Sequence, residues 1–525
     1  MSELDRKSAF VVDTYPMSLE ERITALAFQG LVNRAGARLF RKAKFWNWPA
    51  ADEFWMEYLE SKKGFLFAET PTIQDMVAKF DGVVGGLVVW DAEITQSRWA
   101  AANLAALSDL LPVSPESAEL YPGLPVIEDL RGRFASDIEC ARWSASELLP
   151  QCNPMMGFSI ENTWSGCTID SLDWAVQNKA FIYCLSHGGD KKDETELMHE
   201  VLSRIGPCAP IFGWGEPEEH YCRSISAHDN YVMCAEAPNL SFWTHVTCER
   251  TSWTQRARKH PSEFKLEDKH YVALCTSEGD TPKMAVSVQG GAWQDPNRGQ
   301  IAVNWGMNPL HLKWFPALLE FYWDSATEND YFMGGASGAG YTYPNQMPNP
   351  EQWMRQTGEY FAKADMHETD AWMHFSRPVY ELYAKVSGMR AFSMPCGPYG
   401  ATLVSDSCVV FLRGNSGLNY FENSAPPSEL AAQIRKNAEM RGRLSFSVAH
   451  LVPDSRLSRE SQSGWNPTLF LEVQELLGEG FKIVTIQELA ELAIIALREG
   501  KIMDCQSPDY SEWDDARTDQ PVGLR

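Results

Sequence analysis

The chain has 525 residues, more than one ordinary core holds, so it divides into two domains or a large barrel with an added domain. With 44% hydrophobic and 22% charged residues it has the composition of a globular protein, which excludes wholesale disorder. Lys and Arg number 46 against 70 Asp and Glu, a formal net charge of -24, which argues against nucleic acid and anionic membranes as partners.

The amino-terminal stretch Ala9 to Val12 is too short for a secretory h-region, which reads as cytoplasmic as written, or as a chain whose leader has been removed. No run approaches the ~18 to 20 apolar residues of a membrane span. Twelve cysteines are scattered without a CxxC pair, so buried reduced thiols are expected in place of a zinc or redox site. The first half carries a recurring pattern: a short apolar strand ending in a polar residue, an amphipathic helix, then a second strand. It begins with Ala9 to Val12 and Asp13, followed by a helix opened by the capping box Ser18 and Glu21. It returns as Gly86 to Trp90 with a helix from about Ser97 to Leu107 and Leu111 to Val113, and again as Ala180 to Leu185 with a helix from about Glu194 to Ile205 and Pro210 to Phe212. Three divergent α/β repeats over 1–265 are expected, the alternative being an irregular α/β domain.

The second half alternates strands and helices more regularly. Candidate strands are His270 to Cys275, Gln300 to Trp305, Tyr331 to Gly334, Arg390 to Ser393, Cys408 to Leu412, Leu444 to Val448 and Lys482 to Val484. Seven strands separated by helices over 266–504 suggest a seven-stranded β/α, TIM-like barrel, and an open doubly wound sheet would give the same string. A polar tail, 505–525, is expected to pack loosely.

In either architecture chemistry collects after strand carboxyl ends. The first strand leads into Ser277-Glu278-Gly279-Asp280-Thr281, two carboxylates on a tight turn that can orient a water and take its proton, or merely form a solvated acidic turn. The second leads into Asn304-Trp305-Gly306, an amide and an indole face suited to a hydroxyl-rich ring. The third leads into Gly334-Gly-Ala-Ser-Gly338-Ala-Gly340-Tyr341-Thr-Tyr343-Pro344, where glycines permit positive φ and two tyrosines offer a binding wall. It is neither a Walker loop, since Tyr341 stands where Lys is required, nor a GxGxxG fingerprint. Later strand ends offer Pro395-Cys396-Gly397, Arg413 with Asn415, and His450 with Asp454.

Residues 338 to 344, Gly-Ala-Gly-Tyr-Thr-Tyr-Pro, carry all five fixed positions of the motif that names the GxGYxYP family, which the chain resembles over most of its length. Gln29-Gly-Leu-Val-Asn33-Arg34, Phe212-Gly-Trp214-Gly215, Asn239-Leu-Ser-Phe242 and Asn329-Asp330-Tyr-Phe332 look like further landmarks of that family. The resemblance implies a proposed class of glycoside hydrolase: three divergent repeats, a seven-stranded β/α barrel, and a site in the cleft between the two domains. It also implies a site pairing an upstream Glu with an Asp-Gly-Asp stretch. Here that stretch is Glu278-Gly279-Asp280, so Asp280 matches while Glu278 departs by one methylene, and Thr281 stands where Asn is expected.

The upstream acid falls in Glu216-Pro-Glu218-Glu219, with Glu219 preferred on spacing and Glu218 its rival. The implied roles are Glu219 as general acid, Asp280 as general base, and Glu278 as the group that positions water or stabilises developing positive charge. Trp214, Asn304, Trp305, Gly338, Gly340, Tyr341 and Tyr343 are the expected carbohydrate contacts. No HxxxH or HxH pair is present, so neither metal nor cofactor is expected. A polysaccharide lyase using Tyr341 or Tyr343 as base, and a carbohydrate-binding protein without catalysis, are the alternatives.

Overall fold

The computed structural model describes residues 7–44, 48–161, 169–189, 191–233, 237–276, 282–371, 375–394, 400–412, 425–453 and 464–505. It separates into two compact units, one comprising 1–248 with 314–317, the other 249–313 with 318–525. Both are mixed α/β structures built on parallel sheets. No helix among the described residues is long and apolar enough to cross a membrane.

The first unit contains three sheets. One is formed by β1 (Lys7–Asp13), β2 (Leu39–Lys42) and β3 (Phe65–Glu69), a second by β4 (Leu87–Val89), β5 (Leu111–Val113) and β6 (Val126–Asp129). The third contains β7 (Gly157–Ser159), β8 (Phe181–Tyr183), β9 (Pro210–Gly213) and β10 (Tyr231–Met233). In each the first strand is central, with the second on one side and the third on the other, and β10 extends the third sheet beyond β9. All these pairings are parallel, so each strand is followed by a crossover. The expected third pattern, beginning at Ala180, does not include the central strand of this sheet, Gly157–Ser159, which is too short to announce itself.

Helix Leu19–Asn33 shows how sequence becomes packing. Ser18 and Glu21 close the expected capping box, with Glu21 N donating to Ser18 Oγ at 3.2 Å and Ser18 N to Glu21 Oε2 at 2.8 Å. Its face carrying Ile23, Leu26, Ala27, Gly30 and Leu31 is buried. At Gly30 a Cβ would lie 2.4 Å from the Asp173 carbonyl oxygen, so only glycine lets this helix meet helix Leu172–Gln177 so closely.

The same helix supplies amides that finish an exposed sheet edge. Strand β2 lies at the edge of its sheet, where backbone groups need partners from elsewhere. Asn33 Oδ1 accepts from Arg38 N and Leu39 N at 3.0 and 2.9 Å, and its Nδ2 donates to Leu39 O and to Ser241 Oγ, both at 2.9 Å. Asn239 Oδ1 accepts from Arg41 N at 2.8 Å while its Nδ2 donates to Arg41 O at 2.9 Å, as a neighbouring strand would do. Gln29 Nε2 then donates to Asn239 Oδ1 at 2.7 Å. Two of the four sequence landmarks are therefore halves of one buried amide network.

The second unit holds a nine-stranded sheet: β11 (His270–Thr276), β12 (Val303–Met307), β13 (Asp330–Ala336), β14 (Glu368–Asp370), β15 (Ala391–Met394), β16 (Gly400–Ser405), β17 (Cys408–Leu412), β18 (Ser445–His450) and β19 (Phe481–Ile483). Its order is β16-β17-β15-β14-β13-β12-β11-β18, with β19 beside β11, and it curls into a half-barrel. The expected seven strands are all present within a few residues, and two more were not anticipated. Strand β14 is Glu-Thr-Asp, with no apolar run to signal it, and β16 is an antiparallel edge strand hairpinned onto β17. Along β11 the neighbours change: β18 pairs with the whole strand on one side, while β19 occupies the first half of the other side and β12 the end. Helix Ile486–Arg498, entered from β19, packs its buried face with Tyr271, Ala273, Cys275, Val409 and Phe411.

At the amino end of β11, His270 is held between two hydroxyls, Nδ1 2.6 Å from Ser445 Oγ and Nε2 2.8 Å from Ser447 Oγ. Burial lowers its pKa to about 4, with the positive charge of Arg441 acting in the same direction.

Two stability tests follow from these contacts. Asn33→Ala strands the backbone N–H groups of Arg38 and Leu39, while the Leu39 carbonyl keeps Gln29, and should lower unfolding free energy by about 2 kcal/mol or more in denaturant titration. A loss under about 1 kcal/mol would remove the amide network from the account. For His270 the folded pKa lies below the ordinary 6.5, so the unfolded chain binds the extra proton between those values. Relative to His270→Gln, the wild type should therefore lose stability as pH falls from 6.5 toward 4, by up to about 1.4 kcal/mol per unit. A gap between the two proteins that does not change with pH would refute the assignment.

Candidate active site

Because eight of the nine strands in the second unit run parallel, their carboxyl ends share one edge of the sheet, and the site residues are found by following each strand to that end. Glu278, Gly279, Asp280 and Thr281 lie outside the described residues, as do Cys396, Arg413, Asn415 and Asp454. Strand β11, which precedes Glu278 and Asp280 in the chain, is buried along its whole length and ends at Thr276.

Strand β13 delivers the GxGYxYP turn, and its backbone takes the positive φ values that the glycines suggested: 64° at Ser337, 128° at Gly338 and 97° at Gly340. The turn is pinned from several sides. Ser337 N donates to the Asp370 carbonyl at 2.7 Å, and Ser337 Oγ to the Thr342 carbonyl at 2.8 Å. Tyr383 Oη donates to the Ser337 carbonyl at 2.7 Å, and Trp353 Nε1 to the Ala339 carbonyl at 3.1 Å. A Cβ at Gly338 would lie 2.2 Å from Tyr383 Oη. Tyr341 and Tyr343 pack edge to face with ring centroids 5.8 Å apart and hydroxyls 3.4 Å apart. Both are buried, so the pair stiffens the turn more than it offers an open stacking wall.

Two of the expected contacts, Asn304 and Trp305, are buried and engaged by the protein itself. Asn304 gives its amide to the barrel wall: Nδ2 donates to the Leu274 carbonyl at 3.0 Å, and Oδ1 accepts from Ile486 N at 2.6 Å. Trp305 is buried, donates Nε1 to Asp330 Oδ1 at 2.9 Å and packs against Trp293. Asp330 in turn is paired with Arg298 at 2.5 Å. Alternation along β12 turns the Asn304 and Trp305 side chains to opposite faces of the sheet, where helix and strand partners meet them.

The acids of the first unit stand on and before helix Glu218–Ser226. Glu219 Oε1 accepts from Arg223 Nε and Nη2 at 3.1 and 2.9 Å, one helical turn away. Glu218 is exposed at the helix start. Trp214 is partly exposed and donates Nε1 to Glu216 Oε1 at 2.9 Å.

A constellation less visible in the sequence occupies the ends of β14, β15 and β18. Asp370, Ser393 and His450 are 0%, 1% and 5% exposed. The register pairs Asp370 with Ser393 across β14 and β15, and Cys275 with His450 across β11 and β18. Ser393 Oγ donates to Asp370 Oδ1 at 3.0 Å and lies 2.7 Å from His450 Nε2, while His450 Nδ1 is 3.2 Å from the same Asp370 oxygen. Burial pushes the Cys275 thiol well up, and the charge of Asp370 adds to the effect. The sequence reading noted His450 at a strand end but missed its partners. Ser393 was the last residue of an expected strand, and Asp370 ended a strand that was not recognised. Among the described residues no group of three His, Cys, Asp or Glu side chains is placed to hold a metal ion.

Three family models match successive parts of the chain: the GxGYxYP_N second domain over residues 84–152, the GxGYxYP third domain over 169–245, and the GxGYxYP putative glycoside hydrolase C-terminal domain over 268–493. The chain belongs to the GxGYxYP family. A crystal structure described as a putative hydrolase from Bacteroides thetaiotaomicron VPI-5482 shares its fold, with TM-score 0.75 at 16% identity over 93% of this chain and 95% of that one. A putative polysaccharide deacetylase from Mycobacterium smegmatis matches 46% of this chain and 96% of its own, with TM-score 0.33 at 12% identity. No curated protein matches the sequence. In this GxGYxYP protein the motif that names the family is thus a turn anchored on the backbone of Asp370.

Gly338→Ala tests that anchoring. The added methyl meets Tyr383 Oη in a backbone region hostile to alanine, so the melting temperature should fall by several degrees, about 2 kcal/mol or more. An unchanged melting temperature would mean that the turn readjusts without loss.

Proposed function

We propose that this protein hydrolyses a glycosidic bond with paired carboxylates at the carboxyl-end edge of its curled sheet. The observation that carries the reading is the convergence of chemistry on one edge: the strand that leads to Glu278 and Asp280, the strand that ends in the GxGYxYP turn, and the buried Asp370, Ser393 and His450 all finish there. The family description as a glycoside hydrolase supports the substrate class.

In the proposed reaction the general acid gives its proton to the glycosidic oxygen as the bond to the anomeric carbon breaks. The general base takes a proton from the water whose oxygen attacks that carbon from the opposite face, which inverts the configuration. Glu219 is assigned as acid, Asp280 as base and Glu278 as the group that orients the water. For Glu219 to serve, its oxygen must leave Arg223, so the pair is proposed to open when substrate arrives. The nine-stranded sheet is read as a variant of the β/α barrel, and the three sheets of the first unit as divergent copies of one unit.

The test is a panel of oligosaccharides and aryl glycosides, with products followed by chromatography and by NMR of the anomeric proton. Wild type should release products of inverted configuration, and Asp280→Asn should lower kcat by about 10²- to 10⁴-fold. Glu219→Gln should lose natural glycosides yet keep aryl glycosides whose leaving groups need little protonation. If a sugar binds equally to wild type and Asp280→Asn and neither cleaves it, the protein binds carbohydrate without hydrolysing it. An unsaturated product absorbing in the ultraviolet would make it a lyase.

A further inference from the structure

Asp370, Ser393 and His450 take no part in the scheme above, and their hydrogen bonding is lopsided. All the contacts fall on one carboxylate oxygen. Ser393 has a single hydroxyl proton and gives it to Asp370 Oδ1 at 3.0 Å, so the 2.7 Å contact with His450 Nε2 requires that nitrogen to carry the hydrogen and the Ser393 oxygen to accept it. The far side of the imidazole, Nδ1, stands 3.2 Å from the same Oδ1. Asp370 Oδ2 has no hydrogen-bond partner among the described residues, although Asp370 is 0% exposed.

An unpartnered carboxylate oxygen away from water is unfavourable, a feature Asp370 shares with the buried Asp173 of the first unit, so its place at a strand end is what sets it apart. Here one oxygen is fixed by Ser393, which His450 Nε2 holds in turn, while His450 Nδ1 and Asp370 Oδ2 have no hydrogen-bond partner among the described residues. The group also lies at the carboxyl-end edge of the sheet, beside the GxGYxYP turn. Asp370 is the last residue of β14, level with Ala336 at the end of β13, and its carbonyl accepts the 2.7 Å hydrogen bond from the residue that opens the GxGYxYP turn. We infer that Asp370 is a further catalytic carboxylate whose Oδ2 faces the positive charge that builds on the sugar ring as the glycosidic bond breaks, with Ser393 as the positioning residue that fixes Oδ1 and His450 as the one that fixes Ser393. The inference rests on the glycosidase reading.

The chemical signature of such a group is a preference for cations shaped like sugars. A carboxylate aimed at a developing oxocarbenium ion holds a protonated iminosugar more tightly than the neutral sugar of the same configuration, because only the former carries the charge. Asp370→Asn keeps the shape and removes that charge.

The experiment compares wild type, Asp370→Asn, Ser393→Ala and His450→Gln, each checked for folding by thermal melt. Binding of a panel of monosaccharide-configured iminosugars and their parent sugars is measured by calorimetry, and kcat, KM and the pH profile are measured on the best substrate found above. Asp370→Asn is expected to lower kcat by about 10²-fold with KM changed only a few-fold, and to erase a preference for the iminosugar of about tenfold or more. Ser393→Ala and His450→Gln should each lower kcat by about tenfold and displace the acidic limb of the pH profile, which a purely structural role would leave in place. Wild-type kcat and iminosugar preference in Asp370→Asn would overturn the inference. Should that variant not fold, unchanged pH profiles in both positioning variants overturn it. If wild type cleaves nothing yet prefers the iminosugar, and Asp370→Asn loses the preference, the glycosidase reading fails while the carboxylate contact stands. Absence of any iminosugar preference in the wild type overturns the contact itself.

Discussion

Parallel pairing is the constraint on which the rest of this molecule depends. A parallel strand cannot be reached by a tight turn, so the chain must cross back over the sheet each time, and every strand then presents its carboxyl end at the same edge. In the second unit that single geometric fact gathers Thr276, Ala336, Asp370, Ser393 and His450 from strands far apart in the sequence. No local sequence signal brings them together. Hydrogen-bond register does, and register is set by which residues fill the sheet interior.

Side-chain amides do much of the work that backbone pairing leaves unfinished. In the first unit Asn33 and Asn239 stand in for a missing strand at the edge of β2, reading both the N–H and the carbonyl of single residues. In the second, Asn304 performs the same service between β11 and the start of helix Ile486–Arg498. These are residues of the type that carbohydrate sites use, which is why one of them was taken for a ligand contact. The difference lies in burial: Asn304 is buried with both ends of its amide already engaged by backbone groups.

How much could be read beforehand follows from the same physics. Apolar strands announced themselves, as with His270 to Cys275 and Cys408 to Leu412, and the capping box at Ser18 and Glu21 marked a helix start to the residue. The glycines at 338 and 340 correctly signalled positive φ. What stayed hidden was short or polar: Gly157–Ser159 with three residues, and Glu368–Asp370 with no apolar side chain. Losing the second of these concealed Asp370, since a carboxylate attracts notice only once it is known to end a strand. Trp305 misled in the opposite sense, because an indole with a buried carboxylate for its N–H is as much at home in a core as against a ring.

The antiparallel hairpin of β16 on β17 changes how this sheet can vary. Strand β16 begins opposite Leu412, at the carboxyl end of β17, so the chain leaves β15 and enters β16 at the same edge of the sheet. Strand β17 ends at that edge too. A change of chain length at either point leaves every strand register as it is. In such a scaffold substrate range is free to diverge among relatives while the sheet beneath stays fixed.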